Sequence, residues 1–149
     1  MNSNDYIIDL LPYQDPFLFV DDISAIDENG VIGHYTFPED SFFYAGHFID
    51  KPVTPGVILT ETMAQIGVVS LGIYLHLQAN EKLDELNIAM TSTDIEFLAP
   101  VFPGETVFVN AIKKYYRFGK LKCRVTMYND DEVLVCQGEI AGMIKKLNP

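Results

Sequence analysis

Positive charge is scarce in this sequence and absent from its first third. The first fifty residues contain no lysine or arginine, and the whole chain has 10 basic against 21 acidic residues, a formal net charge of -11. Nucleic acids bind basic surfaces because their backbone is anionic. We therefore do not expect a nucleic-acid partner.

Tryptophan is absent and cysteine is rare. Cys123 and Cys136 are too few for a disulfide scaffold, and although they could lie opposite each other across the last hairpin, we expect buried thiols. Residues 1–9 have no basic residue and no apolar run of signal-peptide length. We expect a cytoplasmic protein, and 149 residues with 48% hydrophobic content predict a single domain over 1–149.

One long apolar run stands out, from Pro55 to about residue 78. Proline suits the first helical position, so Thr54 is the predicted N-cap. The run is long enough to cross a membrane, but Glu61 and Gln65 would then lie in hydrocarbon and the flanks lack positive charge. A helix that is apolar on all sides is otherwise surrounded by its own protein. We predict a buried central helix and no membrane span.

The remaining patterns predict a short helix and about six strands. The helix covers 5–10, and two strands precede the central helix, one over 17–20 and 23 and the other over 31–37. Apolar and polar residues then alternate along four segments, 87–97, 105–116, 121–128 and 133–145. The predicted fold class is α+β, an antiparallel sheet of about six strands wrapped around the central helix.

Most of the basic residues form one cluster. Six of the ten lie within twelve positions that contain no acid: Lys113, Lys114, Arg117, Lys120, Lys122 and Arg124. On an acidic chain such a patch indicates a docking site for one anionic partner. A solvated strand pair is the alternative.

A histidine, a helix N-terminus and a carboxylate follow one another in one stretch. His47 lies in a turn after Gly46, the helix begins near Gly56, and Glu61 and Gln65 share one helix face because they are four residues apart. A neutral imidazole suits proton abstraction, free N–H groups at a helix start suit an anion, and burial favours a protonated carboxyl.

Three motifs in this order resemble the FabZ-type (3R)-hydroxyacyl-[acyl-carrier-protein] dehydratases. They are residues 11–21 (LPYQDPFLFVD), residues 46–65 (GHF to ETMAQ) and residues 97–105 (FLAPVFPGE). The resemblance implies the hot-dog fold and the dehydration of a carrier-bound 3-hydroxyacyl thioester to the trans-2-enoyl thioester. It implies no cofactor or metal beyond the phosphopantetheine that carries the substrate, an acyl carrier protein as partner, and a homodimer with shared active sites or a trimer of dimers.

The resemblance also assigns roles. It makes His47 the base that removes the C2 proton, the backbone N–H of Gly56 the donor to the thioester oxygen, and Glu61 the acid for the leaving hydroxyl. His47 and Glu61 would come from different protomers. We add two hypotheses, that Gln65 orients Glu61 by an amide hydrogen bond and that Phe97 lines an acyl tunnel. The basic cluster is the hypothetical docking site for the carrier.

The chain departs from the family pattern at several positions. Tyr13 and Gln14 stand where the family has histidine and arginine, and residues 45–50 read AGHFID where the family has PGHFPG. The acid and base are intact, so these changes concern substrate and pathway, either fatty acid or specialised polyene or polyketide-like biosynthesis. Two alternatives stay open: a hot-dog acyl thioesterase and a non-catalytic hot-dog partner subunit.

Overall fold

Six antiparallel strands form one sheet. The computed structural model describes residues 3–81 and 86–146. A short helix, α1, covers Asp5–Leu10, as predicted. The strands are β1 (Asp22–Asp27), β2 (Gly30–Thr36), β3 (Leu86–Phe97), β4 (Thr106–Arg117), β5 (Lys120–Asn129) and β6 (Leu134–Lys146), and their order in the sheet is β1-β2-β4-β5-β6-β3. The predicted antiparallel sheet around one long helix is confirmed.

The central helix covers Gly56–Gln78. It is α-helical over Gly56–Met63, π-helical over Ala64–Val69 and α-helical again over Ser70–Gln78. By length and composition it is the one helix of the described residues that could cross a membrane, but 78% of its most apolar window is buried inside the fold. It packs against the inner face of the sheet, where Val109, Leu121 and Ile140 are fully buried.

The predicted strand over 17–20 is wrong. These residues form an extended loop, and β1 begins only at Asp22. The backbone groups of this loop are bonded by a side chain instead of a neighbouring strand: Gln65 accepts from the Phe19 N–H at 2.8 Å and donates to the Phe17 carbonyl at 3.0 Å. The apolar alternation therefore reflects packing against the central helix.

The predicted helix cap is also wrong. Pro55 itself is the N-cap residue, and its carbonyl accepts from the N–H groups of Ile58 and Leu59. The Thr54 hydroxyl does not cap the helix, because it is hydrogen bonded to the buried Tyr44 hydroxyl at 2.6 Å. Thr54 thus fixes the segment before the helix to the loop that carries His47.

The two cysteines do not face each other across the last hairpin. Cys136 pairs with Met127 and Cys123 pairs with Ile140 in the β5–β6 register. Both thiols are free and buried, as expected, and burial raises the pKa of each to about 12.

Candidate active site

Glu61 lies on the second turn of the central helix and is held by the next turn. The Gln65 amide donates to Glu61 Oε2 at 3.0 Å, so the predicted hydrogen bond is present. Burial raises the pKa of Glu61 above its ordinary value, and the bond from Gln65 offsets part of that rise. A carboxyl in this environment holds its proton to a higher pH than an exposed one.

Gln65 is a fixed part of the structure. Its side chain is fully buried, and every polar group it carries is engaged by Glu61 or by the Phe17–Phe19 loop. An amide with all of its bonds made has one available orientation. Gln65 therefore fixes the position of the Glu61 carboxyl relative to the rest of the helix.

Two clefts meet at Glu61. An open cleft runs from Gly56 and Phe97 to Glu61 and Met90. A more enclosed cavity of about 230 Å³ continues from Glu61 and Met90 between the central helix and strands β3 and β6. The walls beyond Glu61 are mostly apolar, among them Val68, Val69, Ile88, Ile140 and Ile144. A polar group at the junction and an apolar pocket behind it suit a ligand with a polar head and a hydrocarbon tail.

The start of the central helix faces the open cleft at Gly56. Within the described residues no acceptor is bonded to the Gly56 N–H, as expected for the first turn of a helix. A Cβ added to Gly56 would lie 3.2 Å from the ring of Phe97, so the absence of a side chain lets Phe97 pack over the helix start. Phe97 thus lies in the open cleft and half of its surface is exposed.

His47 is held in one tautomer by its own loop. Its Nδ1 lies 2.8 Å from the Val53 carbonyl oxygen, and Val53 N–H donates back to the His47 carbonyl at 2.9 Å. Because a carbonyl can only accept, Nδ1 carries the hydrogen and a neutral ring leaves Nε2 with a free lone pair. The imidazole also stacks on Phe48, with 3.9 Å between ring centroids.

The two proposed catalytic groups are not brought together within one chain. Glu61 lines both clefts, and His47 lines neither. Gly56, Glu61, Gln65 and Phe97 do belong to one continuous region, because Gln65 touches Glu61 and the other three line the open cleft.

The six basic residues lie on the β4–β5 hairpin, whose Lys120 end is far from the Phe97 end of the open cleft. Lys120 pairs with Met143 on β6, whereas Phe97 pairs with Cys136, and seven residues of strand correspond to about 23 Å. Glu139 is paired with both Lys114 and Lys122, which lower the pKa of its carboxyl. Arg124 donates to Gln137.

Two residues that were not predicted to lie in the site line the cavity. Tyr13 lines the enclosed cavity beside Glu61, and burial, followed by the charge of Glu61, raises the pKa of its hydroxyl to about 12. Its signal was the departure at that position from the family pattern. Met90 joins the two clefts and had no signal, because one methionine in a strand is ordinary.

The fold is the hot dog, and its candidate site has an acid where an open cleft meets a mostly apolar cavity. A profile of the FabA-like domain matches residues 11–140, and the chain belongs to this family. It is 33% identical over 144 residues to a 3-hydroxyacyl-[acyl-carrier-protein] dehydratase FabZ of Rhodospirillum rubrum, covering 96% of this chain and 88% of the relative. It is also 33% identical over 142 residues to the FabZ of Clostridium perfringens, covering 94% and 96%.

Solved structures share the fold at low sequence identity. The dehydratase heterocomplex ApeI:P from Xenorhabdus doucetiae superposes with a TM-score of 0.79 at 13% identity, covering 94% of this chain and 91% of that one. A hypothetical thioesterase with coenzyme A from Streptococcus pneumoniae superposes with a TM-score of 0.62 at 14% identity, covering 84% and 85%. At these identities the likeness concerns the fold alone.

Proposed function

We propose that this protein dehydrates a (3R)-hydroxyacyl thioester on acyl carrier protein to the trans-2-enoyl thioester. The main supporting observation is the Glu61 carboxyl, which is half-buried, hydrogen bonded to Gln65 and located where the open cleft meets the apolar cavity. The family membership and the FabZ relatives support the same reaction. We place this enzyme in the cytoplasm, in fatty acid or related specialised biosynthesis.

The proposed mechanism uses one base, one acid and one backbone donor. Nε2 of His47 takes the proton from C2, and the negative charge that develops on the thioester oxygen is stabilised by the Gly56 N–H at the positive end of the helix. The electron pair forms the C2–C3 double bond as the C3–O bond breaks. Glu61 gives its proton to the departing hydroxyl, which leaves as water. Proton exchange with solvent then restores neutral His47 and protonated Glu61.

Dehydration involves no change in oxidation state, and each proposed step uses only His47, Glu61, the Gly56 N–H and the substrate. The phosphopantetheine arm belongs to the carrier-bound substrate. In this proposal Phe97 packs beside the thioester end of the substrate, and the apolar cavity takes the acyl tail.

We propose that His47 reaches Glu61 across a dimer interface. Strand β3 lies at the edge of the sheet, its residues 89–94 are exposed, and it has no lysine or proline to prevent pairing. Apolar side chains around the helix start are exposed too, with Val57 at 76% and Phe48 at 57%. An exposed apolar patch beside an unpaired strand edge is typical of a surface that a partner subunit covers.

The basic cluster is the proposed docking site for the acidic carrier. A twofold axis would pair two β3 strands antiparallel, so the Lys120 end of one copy would lie on the same side as the Phe97 end of its partner. A carrier bound to one copy would then deliver its arm to the cleft of the other. Within the described residues neither Lys120 nor Arg117 is paired with a carboxylate, and Arg117 lies over the Tyr115 ring.

The experiment is a mass measurement on an intact carrier. Purified protein is incubated with a (3R)-hydroxyacyl-carrier, and we expect the carrier mass to fall by one water. His47→Ala and Glu61→Ala, each checked for folding, should abolish this loss. If both variants proceed at the wild-type rate, the proposed mechanism is wrong, and release of free thiol without dehydration would instead indicate a thioesterase.

A further inference from the structure

Two side chains of the enclosed cavity pack between strand β6 and the central helix. Ile144 on β6 crosses to the central helix, where its Cδ1 would lie only 2.0 Å from a Cβ added to Gly72. One turn earlier, Val68 packs against Gly142, its Cγ1 3.1 Å from the corresponding Cβ position. Both side chains are at least 95% buried and both line the cavity. Ile144 and Val68 therefore form a wall between strand and helix, which we call the back wall.

The helix gives the distance from the acid to this wall. Glu61, Ala64 and Val68 line the cavity from one helix face, and the seven residues from Glu61 to Val68 span about 10 Å. Each bond of an extended alkyl chain advances about 1.3 Å along the chain axis. The cavity therefore has room for roughly eight carbons beyond the one that carries the hydroxyl group.

We infer that the back wall restricts this enzyme to short- and medium-chain 3-hydroxyacyl thioesters, up to about ten to twelve carbons. This inference rests on the proposed function, since it uses Glu61 to mark the position of C3. A longer tail would first have to displace Val68 from Gly142 and then, one helical turn further on, Ile144 from Gly72. Val68 and Ile144 are in this view specificity-determining residues.

The test is a chain-length profile. The value of kcat/KM is measured for (3R)-hydroxyacyl-carriers of even chain length from butyryl to palmitoyl. For wild type we expect turnover to be maintained up to decanoyl and to fall at least about tenfold at palmitoyl. For Ile144→Ala we expect the ratio of the palmitoyl to the butyryl kcat/KM to rise at least about tenfold.

A matched control and a second variant separate the wall from general loss of packing. Ile66→Ala makes the same truncation on the central helix, on the side that faces β2 and Gly33, and should leave the chain-length profile unchanged. Val68→Leu adds volume at the wall and should shift the optimum to shorter chains. If Ile144→Ala does not fold, the shift to shorter chains expected for Val68→Leu still tests the chain-length inference.

The outcomes distinguish the two proposals. Wild type that dehydrates no chain length overturns the proposed function. Wild type that dehydrates palmitoyl as fast as octanoyl, with a profile unaffected by Val68→Leu and Ile144→Ala, overturns the chain-length inference and leaves the proposed function intact.

Discussion

At the scale of single residues, the candidate site depends on one carboxyl, Glu61, that is half-buried and hydrogen bonded. Burial raises the pKa of Glu61, and the amide of Gln65 limits the rise while fixing the carboxyl in place. A protonated acid can donate to a leaving hydroxyl, which a carboxylate cannot. The apolar helix around Glu61 is thus part of the proposed chemistry.

The raised pKa of Glu61 predicts a pH dependence of stability. Because the folded state binds this proton more tightly than the unfolded chain, the contribution is fully present below the unfolded pKa near 4.5 and is lost as pH rises through the higher folded value. Glu61→Gln has no such proton. The free energy of unfolding of wild type should therefore fall relative to Glu61→Gln as pH rises from 4, measured by urea denaturation. Parallel curves for the two proteins would contradict the shift.

Replacing Gln65 should destabilise the fold. Gln65→Leu would leave the Phe19 N–H and the Phe17 carbonyl without partners, at a cost of about 1–3 kcal/mol for each buried group. Gln78→Leu is the matched control, because Gln78 is exposed at the end of the same helix and should change stability by less than about 0.5 kcal/mol. Equal losses in the two variants, measured by denaturant unfolding, would show that the Gln65 bonds contribute nothing.

At the scale of elements, the regular strands could be predicted and the loop over the helix could not. Strand β4 was predicted over 105–116 and is Thr106–Arg117, because alternation is a local property of the sequence. Residues 17–20 show a similar pattern, but their partner is the Gln65 side chain, more than forty positions away. No local pattern reveals such a bond.

The same distinction applies to the candidate site. Glu61 and Gln65 could be paired from the sequence because helix geometry places residues four apart together. The positions of Met90 and Tyr13 beside Glu61 could not be predicted, because they depend on how β3 and the first loop pack over the central helix. The relation of His47 to Glu61 came from the family resemblance, and it stays a prediction.

The exposed edge of β3 predicts a dimer that charge can disrupt. Ser92→Lys with Thr93→Lys places two cations on this edge, next to the same two on an antiparallel partner strand. We expect a monomer by analytical ultracentrifugation and a loss of dehydratase activity. The control is Ser24→Lys with Ala25→Lys, the same charges on two exposed residues of β1 at the opposite edge.

The two edges should respond differently if β3 forms the interface. The β1 variant should remain a dimer and keep its activity. A β3 variant that stays dimeric and active, or a β1 variant that dissociates, would place the interface elsewhere.

At the scale of the whole molecule, charge is unevenly distributed. The β4–β5 hairpin carries six of the chain's ten basic residues, and Glu139 neutralises part of this charge by pairing with Lys114 and Lys122. The docking proposal therefore predicts opposite effects on carrier binding when hairpin cations are reversed and when the Glu139 charge is removed.

Charge changes on the hairpin should weaken or strengthen carrier binding according to their sign. Lys120→Glu with Lys122→Glu and Arg124→Glu should raise the Kd for the carrier at low salt and reduce its salt dependence, whereas Glu139→Gln should lower the Kd. Binding is measured by calorimetry at two ionic strengths. An unchanged Kd after the triple reversal would exclude this surface as the docking site.

The central claim is that each active site takes His47 from one copy and Glu61 from its partner. His47→Ala and Glu61→Gln are coexpressed with different tags, and the mixed dimer is purified by both tags. Each variant alone should be inactive. The mixed dimer should recover about half of the wild-type kcat, because one of its two sites has both residues intact. A mixed dimer that forms but stays inactive would contradict a shared site.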